Sequence, residues 1–449
     1  MSNEADESGG LLERLFRLRE NGTTVRTELR AGVVTFLTMS YIIFVQPAVL
    51  SQAGMDFGAV MAATCISAAA ATLMMGLYAN YPIALAPGMG ENFFFTFTVV
   101  VGMGVSWQIA LGAVFLSGVA FLLLSAVRLR EMVIEAVPAS LQHAIAAGIG
   151  IFIAFIGFQQ AGIVVGNPGS LVQLGDVRQP PVLLALAGLA ITSVLLVRKV
   201  PGAILWGMLA TAILGLLFGL VEYRGVISAP PSIAPTLFAM DVRGALALPM
   251  VTFIFLYMVL FDTVGTVIGV SAQAGFLKDG KIPRAGRVLM TDAAGTALGA
   301  VLGTSTVTSY IESNAGVAAG GRTGLANMPT ALLFLLALFF IPLVQTIGGG
   351  YEVTPGRFLH PVTAPVLILV GCMMAKSILR IEWNDLCEGV PAFLTMAGIP
   401  LTYNIAHGLA LGFISYPALK LLSGRGKEVS WLLYLMGFLL VLMYAFVQK

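Results

Sequence analysis

Charge is what this sequence has least of. Of 449 residues, 10% are Asp, Glu, Lys or Arg and 58% are hydrophobic, whereas soluble proteins average about 25% charged residues. So few charges cannot cover a water-facing surface, which excludes an ordinary soluble globule and makes lipid the solvent over most of the chain. The net charge of +2 is too small to suggest a nucleic-acid partner. Cysteine is scarce as well. Cys65, Cys372 and Cys387 lack metal-ligand spacing, and Cys65 and Cys372 sit inside apolar runs and read as small core residues. No His/Asp/Cys set has the spacing of a metal cluster or a nucleophile–base pair, which argues against a membrane enzyme and calls for no cofactor. A cleavable signal peptide is not expected, because the first 30 residues are polar and basic and the first apolar run is too long for an h-region.

Long apolar runs are plentiful. A bilayer core takes about 20 apolar residues per helix. Runs between charges and Pro/Gly breaks predict segments at 31–53, 58–79, 82–101, 106–127, 138–163, 181–198, 201–221, 246–270, 286–303, 304–320, 325–347, 361–379, 391–403 and 405–422, with a last run at 429–447. Basic residues cluster before the first segment (Arg14, Arg17, Arg19, Arg26, Arg30), after the fourth (Arg128, Arg130), after the sixth (Arg198, Lys199) and after the eighth (Lys278, Lys281, Arg284, Arg287). Arg322 follows the tenth, and Lys376 and Arg380 follow the twelfth. All fall on one side if the N-terminus is cytoplasmic, as the positive-inside rule requires. Lys420, Arg425 and Lys427 join them if 391–403 and 405–422 are two short passes. The run 429–447 then either lies in the interface, with Trp431 as an anchor, or spans.

Two halves, about 1–225 and 245–449, are joined by a stretch containing Pro230, Pro231 and Pro235. Seven passes per half is an odd number, so the halves enter with opposite topology, as an inverted repeat requires. The third segment of each half cannot be helical throughout. Pro82–Asn92 contains Pro87, Gly88 and Gly90, and Thr304–Tyr310 is rich in β-branched residues and reads as extended. Unwound backbone at membrane depth is tolerated where it lines a cavity or is buried in protein. Matching breaks in two halves point to a midplane binding site; re-entrant loops near the surface are the alternative.

Three carboxylates stand out there, since intramembrane acids are costly and usually functional. Asp262 follows two apolar turns, has nothing basic near it in sequence, and has Thr266 one turn later on the same face. Burial favours the neutral form of a carboxyl, so such a group suits proton exchange; the plainer role is capping a broken helix. Glu312 follows the extended segment and could accept two parallel N–H bonds from a planar ligand, or serve as an N-cap alone. Glu91 adjoins the first break, and its alternation with Asn92 leaves open whether it faces the cavity. Asn92 offers a donor and an acceptor, for a ligand or for freed backbone. Asp292 lies close to the start of its segment and is expected outside the cavity. His143 and His407 read as structural, and Phe93–Phe95 could stack a ring or simply pack.

Taken together, AGVVTFLTMSYIIFVQP (31–47), APGMGEN (86–92), AGIGIFIAFIGFQQAG (147–162), FDTVGTVIG (261–269) and GTSTVTSYIESNAGVAAGGRTG (303–324) resemble the Azg-like purine permeases of the nucleobase:cation symporter family 2, within the xanthine/uracil permease superfamily. The resemblance implies an all-α polytopic membrane protein with a uracil-permease-like fold, 14 spans as two inverted seven-span repeats with short strands in spans 3 and 10. After a cytoplasmic N-terminus (1–30), spans 1–4 (31–127) and 8–11 (246–347) would form a core domain. Spans 5–7 (138–221) and 12–14 (361–422) would form a gate domain, and 429–447 an interfacial or extra helix. It implies a carrier in the cell inner membrane, not an enzyme, that takes up adenine, guanine or hypoxanthine with a proton as coupling ion. By resemblance the binding residues are Glu312, Asp262, Asn92, Gly90, Thr266, Ser313 and Asn314, with Asp262 and Glu312 also coupling the proton. The expected partners are a purine nucleobase and the lipid bilayer, with a homodimer left open. The chain departs from the family pattern at Val259, Glu91 and Asn314, which leaves open whether Glu91 replaces a missing polar group. The alternative is a carrier of the same fold for uracil, xanthine or an anion. An anion site would want a basic residue at the midplane, and the central spans have none. A channel would lack the saturable uptake and counterflow expected of a carrier.

Overall fold

The computed structural model describes residues 10–126, 137–276, 282–354 and 357–446; Arg128, Arg130, Lys278 and Lys281 lie outside them. The described residues form helices α1 (Leu11–Phe16), α2 (Val25–Met39), α3 (Ile42–Leu50), α4 (Phe57–Met74), α5 (Met89–Phe93), α6 (Trp107–Ala126), α7 (Ala139–Gln160), α8 (Pro180–Val197), α9 (Ala203–Leu217) and α10 (Val242–Leu246). The second half continues with α11 (Pro249–Ala274), α12 (Ala285–Leu302), α13 (Ser313–Ala318), α14 (Asn327–Ala337), α15 (Ile341–Gly348), α16 (Ala364–Ala375), α17 (Leu386–Leu401), α18 (Ile405–Leu422) and α19 (Trp431–Phe446). Among the described residues, eight helical stretches are long and apolar enough to cross a membrane, and three shorter apolar helices accompany them. Eleven of the fifteen expected segments correspond to these, although 31–53 begins inside a helix that starts at Val25 and 391–403 inside one that starts at Leu386, whereas 82–101, 286–303, 304–320 and 361–379 are not among them.

Local chemistry sets the ends. Asp56 caps α4 by accepting from the Ala59 N–H at 2.7 Å, and Asn404 caps α18 through the His407 N–H. Pro249 opens α11, where its missing N–H is no loss, and Gly275 closes it at φ 71°. Three two-stranded ribbons interrupt the helices. β1 (Leu85–Pro87) pairs with β4 (Val307–Ser309) across the two halves, whereas β2 (Val164–Asn167) with β3 (Leu171–Leu174), and β5 (Tyr351–Thr354) with β6 (Arg357–Leu359), are local hairpins. The sequence reading anticipated both halves of the first ribbon and neither hairpin.

The helices pack in two sets. α4, α11 and α12 pack on the β1/β4 ribbon, with α6 against α12 and α14 against α4, and α7 packs on α16, α17 and α18. Cys65 is fully buried, as expected, but Cys372 is exposed on α16. A small thiol among apolar neighbours can face lipid as readily as core, and hydropathy does not separate the two. α19 runs antiparallel along α18. Gly437 sits against Phe413, and the rings of His407 and Tyr444 are 5.7 Å apart, near the far end of α18. Leu433 and Leu440 are buried while Trp431, Leu435 and Phe438 are exposed, so this helix packs along its neighbour with one face buried. Where α17, α18 and the following loop meet, Lys420 contacts Glu388 at 3.0 Å and Glu428 at 2.8 Å.

Candidate functional site at the two broken helices

The site is built on the β1/β4 ribbon. Leu85 lies opposite Ser309, Ala86 opposite Thr308 and Pro87 opposite Val307. Two further bonds extend the ladder, Gly88 N–H to Thr306 O and Tyr310 N–H to Ala84 O, each 2.9 Å. A two-stranded ribbon leaves an unpaired row on each outer edge, which is costly away from water. Side chains close both edges. On the β1 side, Thr72 of α4 accepts from the Leu85 N–H at 2.9 Å and donates to the Leu85 carbonyl at 3.1 Å. On the β4 side, Asp292 of α12 accepts from the Ser309 N–H at 2.8 Å, and Thr296 donates to the Val307 carbonyl at 2.9 Å. Pro87 is tolerated because its missing donor belongs to the outer edge. Its carbonyl receives the Tyr310 hydroxyl.

Asp262 and Glu312 converge beside this ribbon. Thr308 Oγ1 of β4 donates to Asp262 Oδ2 at 3.0 Å, yet Asp262 itself is exposed. One turn later, a Cβ placed on Gly265 would meet nothing within 4 Å. Asp262 thus bonds a buried strand and borders open space. Glu312 is half-buried, stands at the N-cap position of α13 and makes no cap bond. Its Oε1 accepts instead from the Tyr41 hydroxyl, 2.6 Å away at the α2–α3 junction. Glu312 lies within electrostatic range of Asp262. Glu312 therefore does not act as a cap, and Asp262 lies inside the uninterrupted helix Pro249–Ala274 and not at a helix end.

Asp292, expected outside the cavity, is fully buried directly behind β4, where it also accepts from Thr263 Oγ1 at 2.6 Å and Ser309 Oγ at 2.7 Å. The α12 helix passes the ribbon two turns into its course, so an acid near its sequence start reaches the centre of the molecule. Glu91 faces inward. It is 2% exposed, its carboxyl folds back over Gly88 towards Thr308, and it lies within range of both Asp262 and Asp292. Val259, by contrast, packs among Phe121, Leu256 and Leu289 on another face of α11.

The remaining candidates divide. Gly90 leaves room for Ile149, whose Cγ2 would be 3.2 Å from an added Cβ. Asn92 is fully buried and donates to Gln46 Oε1 at 2.6 Å, with its own Oδ1 unpartnered. Ser313 accepts from the Ala84 N–H at 3.0 Å and so ties α13 to the first break. Asn314 is half-buried and its Oδ1 lacks a partner. Thr266 is buried on α11. Phe93, Phe94 and Phe95 are fully buried, with Phe94 edge-on to Phe255, which is packing. Sequence reasoning passed over Tyr41, Gln46, Thr72, Thr296 and Thr308. Gln46 inside the apolar run Ile42–Leu50 was the one visible signal among them, since a buried carboxamide must find partners.

The Xan_ur_permease family, described as a permease family, matches residues 26–411. The chain is 43% identical to the adenine permease AdeP of Escherichia coli (strain K12), over 98% of this chain and 97% of that one. It is 44% identical to the guanine/hypoxanthine permease PbuG of Bacillus subtilis (strain 168), over 97% of this chain and 100% of the relative. The transmembrane domain of a cyanobacterium bicarbonate transporter, BicA, superposes with a TM-score of 0.62 at 15% identity, covering 86% of this chain and 97% of that one. At that identity the likeness is one of fold.

Proposed function

We propose, for a chain that belongs to the Xan_ur_permease family, that it takes up purine nucleobases across the inner membrane together with a proton, by alternating access. The observation that supports the proposal is that two carboxyls, Asp262 and Glu312, lie within electrostatic range of each other beside the ribbon that joins the two broken helices. The names of the relatives, adenine and guanine/hypoxanthine permeases, supply the substrate class. A purine is planar with N–H donors on its edges, and Glu312 and Asp262 offer acceptors to it. Both carboxyls have hydroxyl partners, Tyr41 and Thr308. A hydroxyl stabilises a carboxylate without neutralising it, so the proton is the natural counter-charge. The acid-rich site runs against an anion as cargo.

Spans within 31–127 and 246–347 form the core that carries the ribbon, and 138–221 with 361–422 form the gate. The packing of α4 and α6 with α12, and of α7 with α16 and α17, supports that division. Asp262 takes a proton from outside, which favours closure around the bound purine. The core then moves against the gate, and both ligands leave on the cytoplasmic side, where the N-terminus lies. Substrate positions are Glu312, Asp262 and Asn92, with Gly90 giving close backbone approach; Thr266, Ser313 and Asn314 form their surroundings. Radiolabelled adenine, guanine and hypoxanthine uptake in permease-deficient cells tests the reading. Glu312→Gln and Asp262→Asn are each expected to abolish accumulation, and a protonophore to collapse it in the wild type. Uptake indifferent to all three would sink the mechanism.

A further inference from the structure

Gln46 and Asn92 form a buried carboxamide relay between the two breaks. Gln46 lies on α3 and is fully buried. Its Oε1 accepts from Asn92 Nδ2 at 2.6 Å, and its Nε2 donates to Thr304 Oγ1 and Ser305 Oγ, each at 2.9 Å. Thr304 and Ser305 lie on the approach to β4, one residue short of it, and they are fully buried too. The second Asn92 Nδ2 hydrogen is directed at Met89 Sδ, 3.8 Å away. All four amide hydrogens therefore have acceptors, and one atom is left over. Asn92 Oδ1 is buried with no partner.

The orientation follows from counting. If both amides were turned over, Gln46 Oε1 could accept from the two hydroxyls, but one Gln46 hydrogen and both Asn92 hydrogens would lose their acceptors. Leaving three buried donors empty costs far more than leaving one acceptor open. The network thus fixes which end of Asn92 is free, and that end is a carbonyl.

We propose that Gln46 is a positioning residue that holds Asn92 with its carbonyl presented, so that the site selects purines carrying an amino group over their oxo counterparts. This rests on the purine reading above. Asp262 and Glu312 are acceptors when ionised, and Asn92 adds a third acceptor. An amino group donates to such a lining, whereas an oxo group sets lone pair against lone pair. A site that hydrogen-bonds a ligand group rejects the analogue lacking it more strongly than an apolar pocket can.

Adenine against unsubstituted purine isolates the amino group, and two further pairs, adenine against hypoxanthine at C6 and guanine against xanthine at C2, add the oxo swap, in which the neighbouring ring N1 or N3 also becomes an N–H donor. Competition with one labelled purine should show a preference of about tenfold or more for the amino member of at least one pair in the wild type. In Gln46→Leu, Asn92 is free to turn its NH2 to the ligand, and the ratio should fall to within about threefold of unity. Gln46→Glu keeps an acceptor for Asn92 Nδ2 while the two hydroxyls rotate to donate, so the ratio should persist even if the rate falls. Should Gln46→Leu not reach the membrane, Thr304→Val removes one of the acceptors that hold Gln46 and should lower the ratio by a smaller factor. A wild type that prefers the oxo members, or a ratio unmoved by Gln46→Leu and Thr304→Val, overturns the inference. A wild type that takes up no purine overturns the preceding reading and this one together, so the two failures are distinguishable.

Discussion

The two breaks occupy corresponding places in the two halves and are closed by different chemistry. On the β1 side neutral hydroxyls do the edge bonding, Thr72 at both groups of Leu85 and Tyr310 at the Pro87 carbonyl. On the β4 side a carboxylate, Asp292, takes the Ser309 N–H, the Ser309 hydroxyl and the Thr263 hydroxyl at once. The first strand is apolar with proline, Leu85-Ala-Pro87, and needs little beyond its backbone bonds. The second, Val307-Thr-Ser309, brings its own hydroxyls, and one of them, Thr308, holds Asp262. The second half thus carries three of the acids around the ribbon, Asp262, Asp292 and Glu312, and the first half one, Glu91. An inverted repeat fixes where the breaks fall, but it does not oblige the two to do the same work.

The largest effect should come from removing the carboxylate behind β4. Asp292→Ala strands three buried donors, and hydrogen bonds to a charged group are worth about 1.5–3 kcal/mol each. The expected outcome is loss of purine accumulation and a clearly lower melting temperature in detergent. Thr72→Val removes the neutral bracket of β1 and should cost about 1–2 kcal/mol, with residual uptake. Equal losses in the two variants would erase the asymmetry.

Next in size is Tyr41→Phe, which deletes the hydroxyl that holds Glu312 at 2.6 Å. Losing a hydrogen bond to a charged group predicts a rise in KM of about tenfold with expression unchanged. Asn92→Ala, in the first break, should act on purine preference as well as on KM. A reversed pattern, with Tyr41→Phe changing which purine is preferred, would place recognition in the second half alone.

Much of this was legible in the sequence. Apolar run lengths gave the spans because lipid imposes one length on all of them. Pro87 with Gly88, and the β-branched run Thr304–Tyr310, gave the breaks because both residue types resist the helix. Asp262 and Glu312 stood out because acids are rare at that depth. The partners did not show. Tyr41, Thr72, Thr296 and Thr308 are residues that any transmembrane helix or strand may carry without consequence, and their importance comes from which edge they meet across the fold. The bonding of Asp292 to β4 was missed for a related reason. Distance along the chain from a basic loop gives depth along a helix, but it does not say what the helix passes on its way.

The smallest effect is expected at the glycines that flank the two breaks, and it separates packed space from open space. Gly90 precedes Asn92 by two residues and faces Ile149 of α7, so Gly90→Ala pushes a methyl into a 3.2 Å contact across the proposed core–gate boundary. Gly265 is one turn from Asp262 and faces nothing within 4 Å. Within a helix, alanine in place of glycine stabilises by up to about 1 kcal/mol. Gly265→Ala should therefore leave the melting temperature unchanged or raise it slightly, while Gly90→Ala lowers it. Transport should respond in a different way. A methyl at 265 narrows the open space next to Asp262 and should raise KM by a small factor, and Gly265→Leu should block uptake with the fold intact. Uptake by Gly265→Leu at the wild-type rate would mean that the space beside Asp262 lies off the substrate's route, and that the acceptors at the head of that space serve the proton alone.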